Sequence, residues 1–326
     1  MRDFCDIPVC AGVSPTGKLH NVGTNLGLLA AQSLGERSIQ LSLKAFHSGG
    51  VVSTGGQALT DDFTRIEQLT QLAKKIPNSA VLSRQSGVIK KIERDATGAN
   101  IWVGETAYHV NKDRHGRLLH ESLPRADELS GYKPWQPPVV GMSVTPGHQF
   151  TDPNRTVINP HDLYKATRSM EKVQNFLVDE LHGLYKKEGV RRGHVETIVK
   201  AIGNLTKISD PGDAEGILHG EFQSASKVQA MNAELIKAGR KPIEHTPILK
   251  GVDMIPFDVH EDWMAKLQHN RLTSTLQQAA ATAGVSHIHG THPVPGIAYG
   301  AEFGMTSAKA LTPGLGHLKN VPTHSY

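Results

Sequence analysis

Residues 21–56 read NVGTNLGLLAAQSLGERSIQLSLKAFHSGGVVSTGG, and this stretch constrains the rest of the chain more than any other. Its first half is apolar and small, with Leu26, Leu28, Leu29, Ala30, Ala31, Ser33 and Gly35. A helix with that surface lets other backbones approach closely, so the expectation is a buried helix that stops where Gly35-Glu36-Arg37 interrupts the run. Ser38 then reads as the N-cap of a second helix. On that second helix Gln40, Lys44 and His47 recur at i, i+4 and i+7 with Leu43 beside them, so the four share one stripe. An amide, an apolar side chain, a fixed cation and an imidazole in a row suit a base that carries a polyphosphate. Glycine reaches backbone angles that other residues avoid, so Gly49-Gly50, followed by Gly55-Gly56, predicts a hinge at the helix end.

Beyond Gly56 the chain alternates between helical and extended patterns. Leu59 to Lys75 reads as a helix, with a capping box at Thr64-Arg65-Ile66-Glu67 and an apolar stripe at Ile66, Leu69, Leu72 and Ala73. Asp61-Asp62 sit at its start, where carboxylates favour the helix dipole, and this explains them better than a metal does. After Pro77 the pattern turns to short strands: 80–82, 87–92, 101–103, 107–110, 139–144 and 156–158. Turns at Asp95-Ala96-Thr97-Gly98 and Lys112-Asp113-Arg114-His115-Gly116 separate them. Asp162 to Glu188 reads as one amphipathic helix capped by Gly189. A second helix is expected through Val195, Ile198, Val199, Ile202 and Leu205, and a third near 221–238. A fourth runs through Leu272, Leu276, Ala279, Ala280 and Ala283, capped by Gly284. The fold class is therefore α+β, with five successive regions: 1–22, 23–78, 79–158, 159–304 and 305–326.

Composition narrows the function. The 326 residues carry a formal net charge of +4 and 18 histidines, which is compatible with a nucleic-acid partner without demanding one. The densest basic cluster is Lys186-Lys187 with Arg191-Arg192, which fits either a phosphate backbone or an exposed turn. Two cysteines, Cys5 and Cys10, argue against a disulfide scaffold and suit a reducing compartment. No apolar run is long enough to span a bilayer, so no membrane partner is expected. Gly12-Val13-Ser14-Pro15-Thr16-Gly17-Lys18-Leu19 misses a phosphate-binding loop at its last position, where Leu stands for the Ser or Thr that would hold magnesium. His287, His289 and His292 have a spacing that invites a metal, but a polar loop surface explains them as well.

The stretch 21–56 resembles the trigger loop of the β′ subunit of multisubunit DNA-dependent RNA polymerases. The family pattern, G-x-x-A-A-Q-S-x-G-E and then Q-L-x-x-x-x-F-H-x-G-G, is matched by Gly27, Ala30, Ala31, Gln32, Ser33, Gly35 and Glu36. It continues through Gln40, Leu41, Phe46, His47, Gly49 and Gly50. The resemblance runs collinearly to about Phe303 and includes VQNFLVDELHGLYKKEGV, HVETIV and PILKGV. It implies an antiparallel helical hairpin, a small β module and a mainly helical remainder, all part of a larger fold.

By motif position the resemblance gives Lys44 and His47 to the phosphates of an incoming nucleoside triphosphate. Gln40 lines the nucleotide pocket, Leu43 presses on the base, and Gly49-Gly50 form the hinge. Three departures stand out: Lys44 where bacterial members usually have Arg, Ala45 for a hydroxyl residue, and Arg37-Ser38 for a Pro-Gly pair. The family's N-A-D-F-D-G-D motif, which holds catalytic Mg2+, has no counterpart here, so the expected magnesium aspartates lie on a partner. That reads as the C-terminal fragment of a split β′ subunit, as giant tailed bacteriophages encode. The expected partners are the other split β and β′ subunits, DNA template and RNA product, and the place is the infected bacterial cytoplasm or the virion. The family holds zinc near Cys5 and Cys10, but only two ligands with altered spacing stand here, so zinc is the lesser alternative to two ordinary thiols. The rival functions are a non-catalytic fragment that docks on a host polymerase, and a stand-alone nucleotide-binding enzyme using residues 12–18.

Overall fold

The computed structural model describes residues 17–18, 29–38, 62–113, 115–121, 135–252, 263 and 272–285. The chain divides into two compact units, one made of Met1–Lys44 with Leu177–Tyr326 and the other of Ala45–Phe176. Helices and antiparallel sheets occur together, so the fold is α+β.

In the Ala45–Phe176 unit, helix α2 (Asp62–Thr70) buries Ile66 and Leu69, with Leu72 and Ile76 just beyond it. It is shorter than the sequence pattern predicted. Thr64 lies inside the helix and so cannot open a capping box. The helix ends because Leu72 adopts a left-handed conformation at φ 48°, and the Ala73 N–H reaches back to the Gln68 carbonyl. A non-glycine residue tolerates that geometry at a cost, here offset by burying the Leu72 side chain. The carbonyls released at this end find partners far along the chain. Asn159 Nδ2 donates to the carbonyls of Ala73 and Lys74, and His161 Nε2 lies 3.0 Å from that of Leu72. The same Asn159 accepts from the His161 N–H as N-cap of helix α3 (Pro160–Thr167), so one buried amide fastens the end of α2 to the start of α3.

Between them stands a four-stranded antiparallel sheet of order β3-β2-β1-β4, with β1 at Gly87–Arg94, β2 at Gly98–Val103, β3 at Thr106–Asn111 and β4 at Ser143–Val144. The β1–β2 turn is built by Asp95, whose carboxylate accepts from the N–H groups of Thr97 and Gly98. Gly98 is required there: a Cβ would sit 2.0 Å from the Val110 carbonyl oxygen on β3. One face packs Ile89, Ile101, Val103, Tyr108 and Val110 against Leu119, Val144 and Phe150. Lys90 and Lys91 are exposed at a β-bulge, and Lys91 pairs with Glu93 at 2.5 Å. Residues 80–82 and 156–158 contribute only isolated bridges, Ser79 with Val157 and Leu82 with Gln149.

The segment after β3 is fixed by a buried ion pair. Arg155 Nη2 lies 2.7 Å from Asp113 Oδ2, and both side chains are only 2% exposed. Arg155 also donates to the carbonyls of Leu118, Glu121 and Arg117, while Asp113 accepts from the N–H groups of His115 and Arg117. Burial alone would raise the Asp113 carboxyl. The backbone donors and the two guanidinium groups outweigh it and hold the pKa at about 2.

The single helix expected from Asp162 to Glu188 is two helices. Arg168 turns left-handed at φ 54°, closing α3, and Ser169 accepts from the Lys172 N–H to open α4 (Met170–Tyr185). A short 3-10 turn, Lys186–Glu188, then ends at Gly189 with φ 77°, as the sequence predicted.

In the other unit, residues 29–38 form helix α1, and α4 contributes buried Leu177, Val178, Leu181 and Tyr185. Helix α5 (Arg192–Ile202) follows, burying Val195, Val199 and Ile202. Leu205 was expected to continue it but begins a strand instead. The run L-T-K-I-S-D alternates, with Leu205, Thr206 and Ile208 buried and Lys207 exposed, so it forms β5 (Leu205–Asp210). β5 is the middle of a three-stranded antiparallel sheet with β6 (Phe222–Ser224) and β7 (Glu244–Pro247), which the sequence pattern had not revealed. Ser224 caps helix α6 (Ala225–Lys237), and Ile208, Ile217, Val228, Leu235 and Ile243 form the core between sheet and helix. Helix α7 (Leu272–Ala281) ends with Ala283, rather than Gly284, in the left-handed conformation at φ 49°.

Candidate functional site at the base of the stripe

Gln40, Leu43, Lys44, His47, Gly49 and Gly50 lie outside the described residues, as do Cys5, Cys10, His287, His289 and His292. The described part of the site is the helix that leads into the stripe and its surroundings in the same unit.

Helix α1 differs from expectation in two ways. Gly35-Glu36-Arg37 does not interrupt it, and Ser38 belongs to the same helix rather than standing as the N-cap of a new one. Ser38 Oγ donates to the Leu34 carbonyl at 2.8 Å, an i−4 bond that spends the hydroxyl proton on its own helix. Only Ala30 and Leu34, one turn apart, are buried, while Ala31, Gln32, Gly35 and Glu36 are exposed. Over these described residues a single i, i+4 stripe carries the packing, and Ala31 and Gly35 stay exposed.

Ser38 of α1 meets the end of α4. Ser38 Oγ lies 2.5 Å from the Tyr185 hydroxyl, across 147 residues of sequence. Tyr185 is only 1% exposed; burial raises its pKa, and the Ser38 hydroxyl bond offsets part of that rise. Beside this contact α1 and the turn before α5 border an open cleft of about 300 Å³, with Gln32, Ser33, Glu36 and Arg37 on one side and Glu188, Arg191 and His194 on the other. Two acidic and two arginine side chains nearly balance there. It is not the one-signed groove that a phosphate backbone selects.

The basic cluster is diluted in the same way. Arg192 bonds Asp179 at 2.8 Å and Glu196 at 2.9 Å, and these carboxylates raise its pKa. Lys186 and Lys187 are exposed on the 3-10 turn. Of the near phosphate loop, only Gly17 and Lys18 are described, and both are exposed. Asp62 is exposed in the first turn of α2, consistent with a dipole role. Asp210 is paired to Lys241 at 2.6 Å and Asp213 accepts from the Lys241 N–H, so that acidic turn is structural. Among the described residues no group of three or more His, Cys, Asp or Glu side chains is placed to hold a metal ion. No described helix is long and apolar enough to cross a membrane.

Residues 13–225 match the protein family RNA polymerase Rpb1, domain 5. The chain belongs to this family. Its relatives include the DNA-directed RNA polymerase subunit beta' of Alkaliphilus oremlandii, 29% identical over 277 residues that make up 84% of this chain and 21% of that subunit. The corresponding subunit of Thermus thermophilus is 29% identical over 262 residues, 80% of this chain and 16% of that subunit. That of Clostridioides difficile is 29% identical over 283 residues, 84% of this chain and 22% of its own length. The chain thus spans about a fifth of the length of these relatives. This Rpb1 domain 5 is a β′-type piece of a larger polymerase fold, and α1, α2, the four-stranded sheet, α3 to α5 and β5 all fall inside the matched range. Tyr185 was missed by sequence reasoning. Nothing in the spacing joins it to Ser38, since the contact exists only once α1 and α4 have packed.

Proposed function

We propose that the chain supplies the trigger loop of a multisubunit DNA-directed RNA polymerase, acting during template-directed RNA synthesis. The observation that carries this reading is the stripe Gln40, Leu43, Lys44 and His47, followed by Gly49-Gly50, inside the range matched by the polymerase family. In this reading Gln40 lines the pocket of the incoming nucleoside triphosphate and Leu43 presses on its base. Lys44 and His47 reach the phosphates, where charge develops as pyrophosphate leaves, and a cation and an imidazole held there stabilise it. The glycines let the stripe approach the nucleotide and withdraw.

The catalytic magnesium ions belong to aspartates outside these 326 residues, because the sequence has no N-A-D-F-D-G-D motif. The proposal extends to a separate polypeptide as their carrier, in the split-subunit arrangement of giant tailed bacteriophages, and to DNA, RNA and the remaining β and β′ parts as partners. It places the enzyme in the infected bacterial cytoplasm or in the virion.

Purification from the source, mass spectrometry of the partners and a promoter-independent RNA synthesis assay test this together. The expected result is a complex that contains the magnesium-binding polypeptide and extends RNA. A chain recovered alone, or bound to a complete host polymerase that it does not help to extend RNA, overturns the reading.

A further inference from the structure

We propose that the outer face of the sheet β6-β5-β7 binds single-stranded nucleic acid, with Phe222 as the stacking ring and Lys207 and Lys250 as the phosphate contacts. The site is separate in sequence from the stripe of the trigger-loop reading and stands whether or not that stripe meets a nucleotide.

The sheet has two unlike faces. Ile208 turns inward to the core it forms with Ile217, Val228, Leu235 and Ile243, on the side that α6 covers. Side chains alternate along a strand, so Lys207 and Ser209 of β5 point the other way, and both are exposed. Lys207 is the partner of Phe222 on β6 and of Thr246 on β7, so one row across the three strands reads Phe222, Lys207, Thr246. Thr246 is exposed too, and its Oγ1 lies 3.3 Å from Ser209 Oγ, which puts two hydroxyls next to the lysine. Phe222 is half-buried, and Lys250 Nζ lies over its ring at 4.0 Å from the centroid. The acidic residues of these strands, Asp210 and Glu244, pair at the far end, where Lys241 bonds Asp210. Glu221, just before β6, is engaged by the Leu218 N–H and by Gln223.

Two ammonium groups, two hydroxyls and a ring on one flat face suit a chain of phosphates and bases better than an acidic peptide, which would leave the ring unused. A duplex hides the faces of its bases, so a ring on a sheet stacks only on an unpaired one. Stacking a base on an aromatic ring outweighs an exposed cation–π contact. The base therefore takes the ring, and the Lys250 ammonium moves from it to the adjoining phosphate.

The test is fluorescence anisotropy of a short labelled oligouridine titrated with the full chain at several salt concentrations, beside an RNA duplex of the same length. The variants are Phe222→Leu, Lys207→Gln and Lys250→Gln, with Lys186→Gln as a control on the exposed 3-10 turn, and thermal melting checks that each is folded. The native chain should bind the single strand more tightly than the duplex. Phe222→Leu should weaken binding ~5-fold or more without changing the salt slope, because only stacking is lost. Lys207→Gln and Lys250→Gln should each weaken it ~3- to 10-fold and lower the slope by about 0.7, the share of one phosphate contact. Lys186→Gln should bind as the native chain does. Lys207 is exposed, so its variant reads the site even if Phe222→Leu fails to fold. No binding of the single strand, or equal losses in all four variants, would overturn the proposal, since no particular face is then responsible. It fails as well if the Lys207 and Lys250 variants bind weakly, Phe222→Leu binds normally and polyglutamate displaces the oligouridine: the face then serves an acidic protein segment.

Discussion

Replacing Arg155 by methionine is expected to release the 113–121 segment from the β module. In the native protein the Arg155 guanidinium bonds Asp113 and the carbonyls of Leu118, Glu121 and Arg117, with its side chain only 2% exposed. Methionine fills similar space but leaves the Asp113 carboxylate buried beside one fewer cation. Removing one partner of a buried ion pair costs about 3–5 kcal/mol. The lower end applies here, because Asp113 keeps Arg117 at 2.9 Å and two backbone N–H donors. About 3 kcal/mol is a factor of roughly 10² in an opening equilibrium. Hydrogen exchange read by mass spectrometry measures that factor on the full chain, in peptides containing the Arg117 and Leu119 amides, which bond Asp113 and the Asn111 carbonyl. Adding Asp113→Asn to Arg155→Met should recover part of the protection, because the stranded charge is then gone. Protection within about threefold of the native value in Arg155→Met would show that the pair is not what holds the segment.

Two more outcomes concern the same module. Gly98→Ala should destabilise it by ~1–3 kcal/mol, since the new methyl meets the Val110 carbonyl oxygen and forces β2 from β3; thermal melting of the full chain checks this. His120 and His148 each bury a ring nitrogen without a hydrogen-bond partner, and burial lowers both pKa values below the ordinary 6.5. The unfolded chain then binds protons first, so their stabilising contribution is full above about pH 6.5 and lost as pH falls through the folded values. A pH series of urea midpoints should fall across that range, and His120→Asn with His148→Asn should flatten it.

The sequence carried the local features of this fold well and the long-range ones poorly. Asp95 and Gly98 announced their turn because both act within a few residues, and Gly189 announced its cap for the same reason. The break at Arg168-Ser169 escaped the helical pattern because the apolar spacing continues across it, although Ser169 followed by Met170 is an N-cap signal. β5 was absorbed into a helix because Leu205 extends the stripe of α5 by one more step. Its pairing with β7 lies some 40 residues away and leaves no local trace. Asn159, Arg155 and Tyr185 show the deeper limit. Each looks ordinary in sequence, and each gains its role from a partner 34 to 147 residues away. At the site, the stripe of Gln40, Leu43, Lys44 and His47 and the glycines after it rest on the sequence and the family resemblance, since they lie outside the described residues. The contact of Ser38 with Tyr185 was not legible, because nothing local joins residues 147 apart in sequence.

The most direct test of the central claim is the rate of single-nucleotide addition by the assembled polymerase, measured at saturating substrate with native chain, His47→Ala and Lys44→Ala. Each lost phosphate contact is worth a few kcal/mol, so both variants should add nucleotide ~10²-fold more slowly while assembling normally. Normal rates in both variants would mean that the stripe does not touch the reacting nucleotide, and the account would be wrong at its centre.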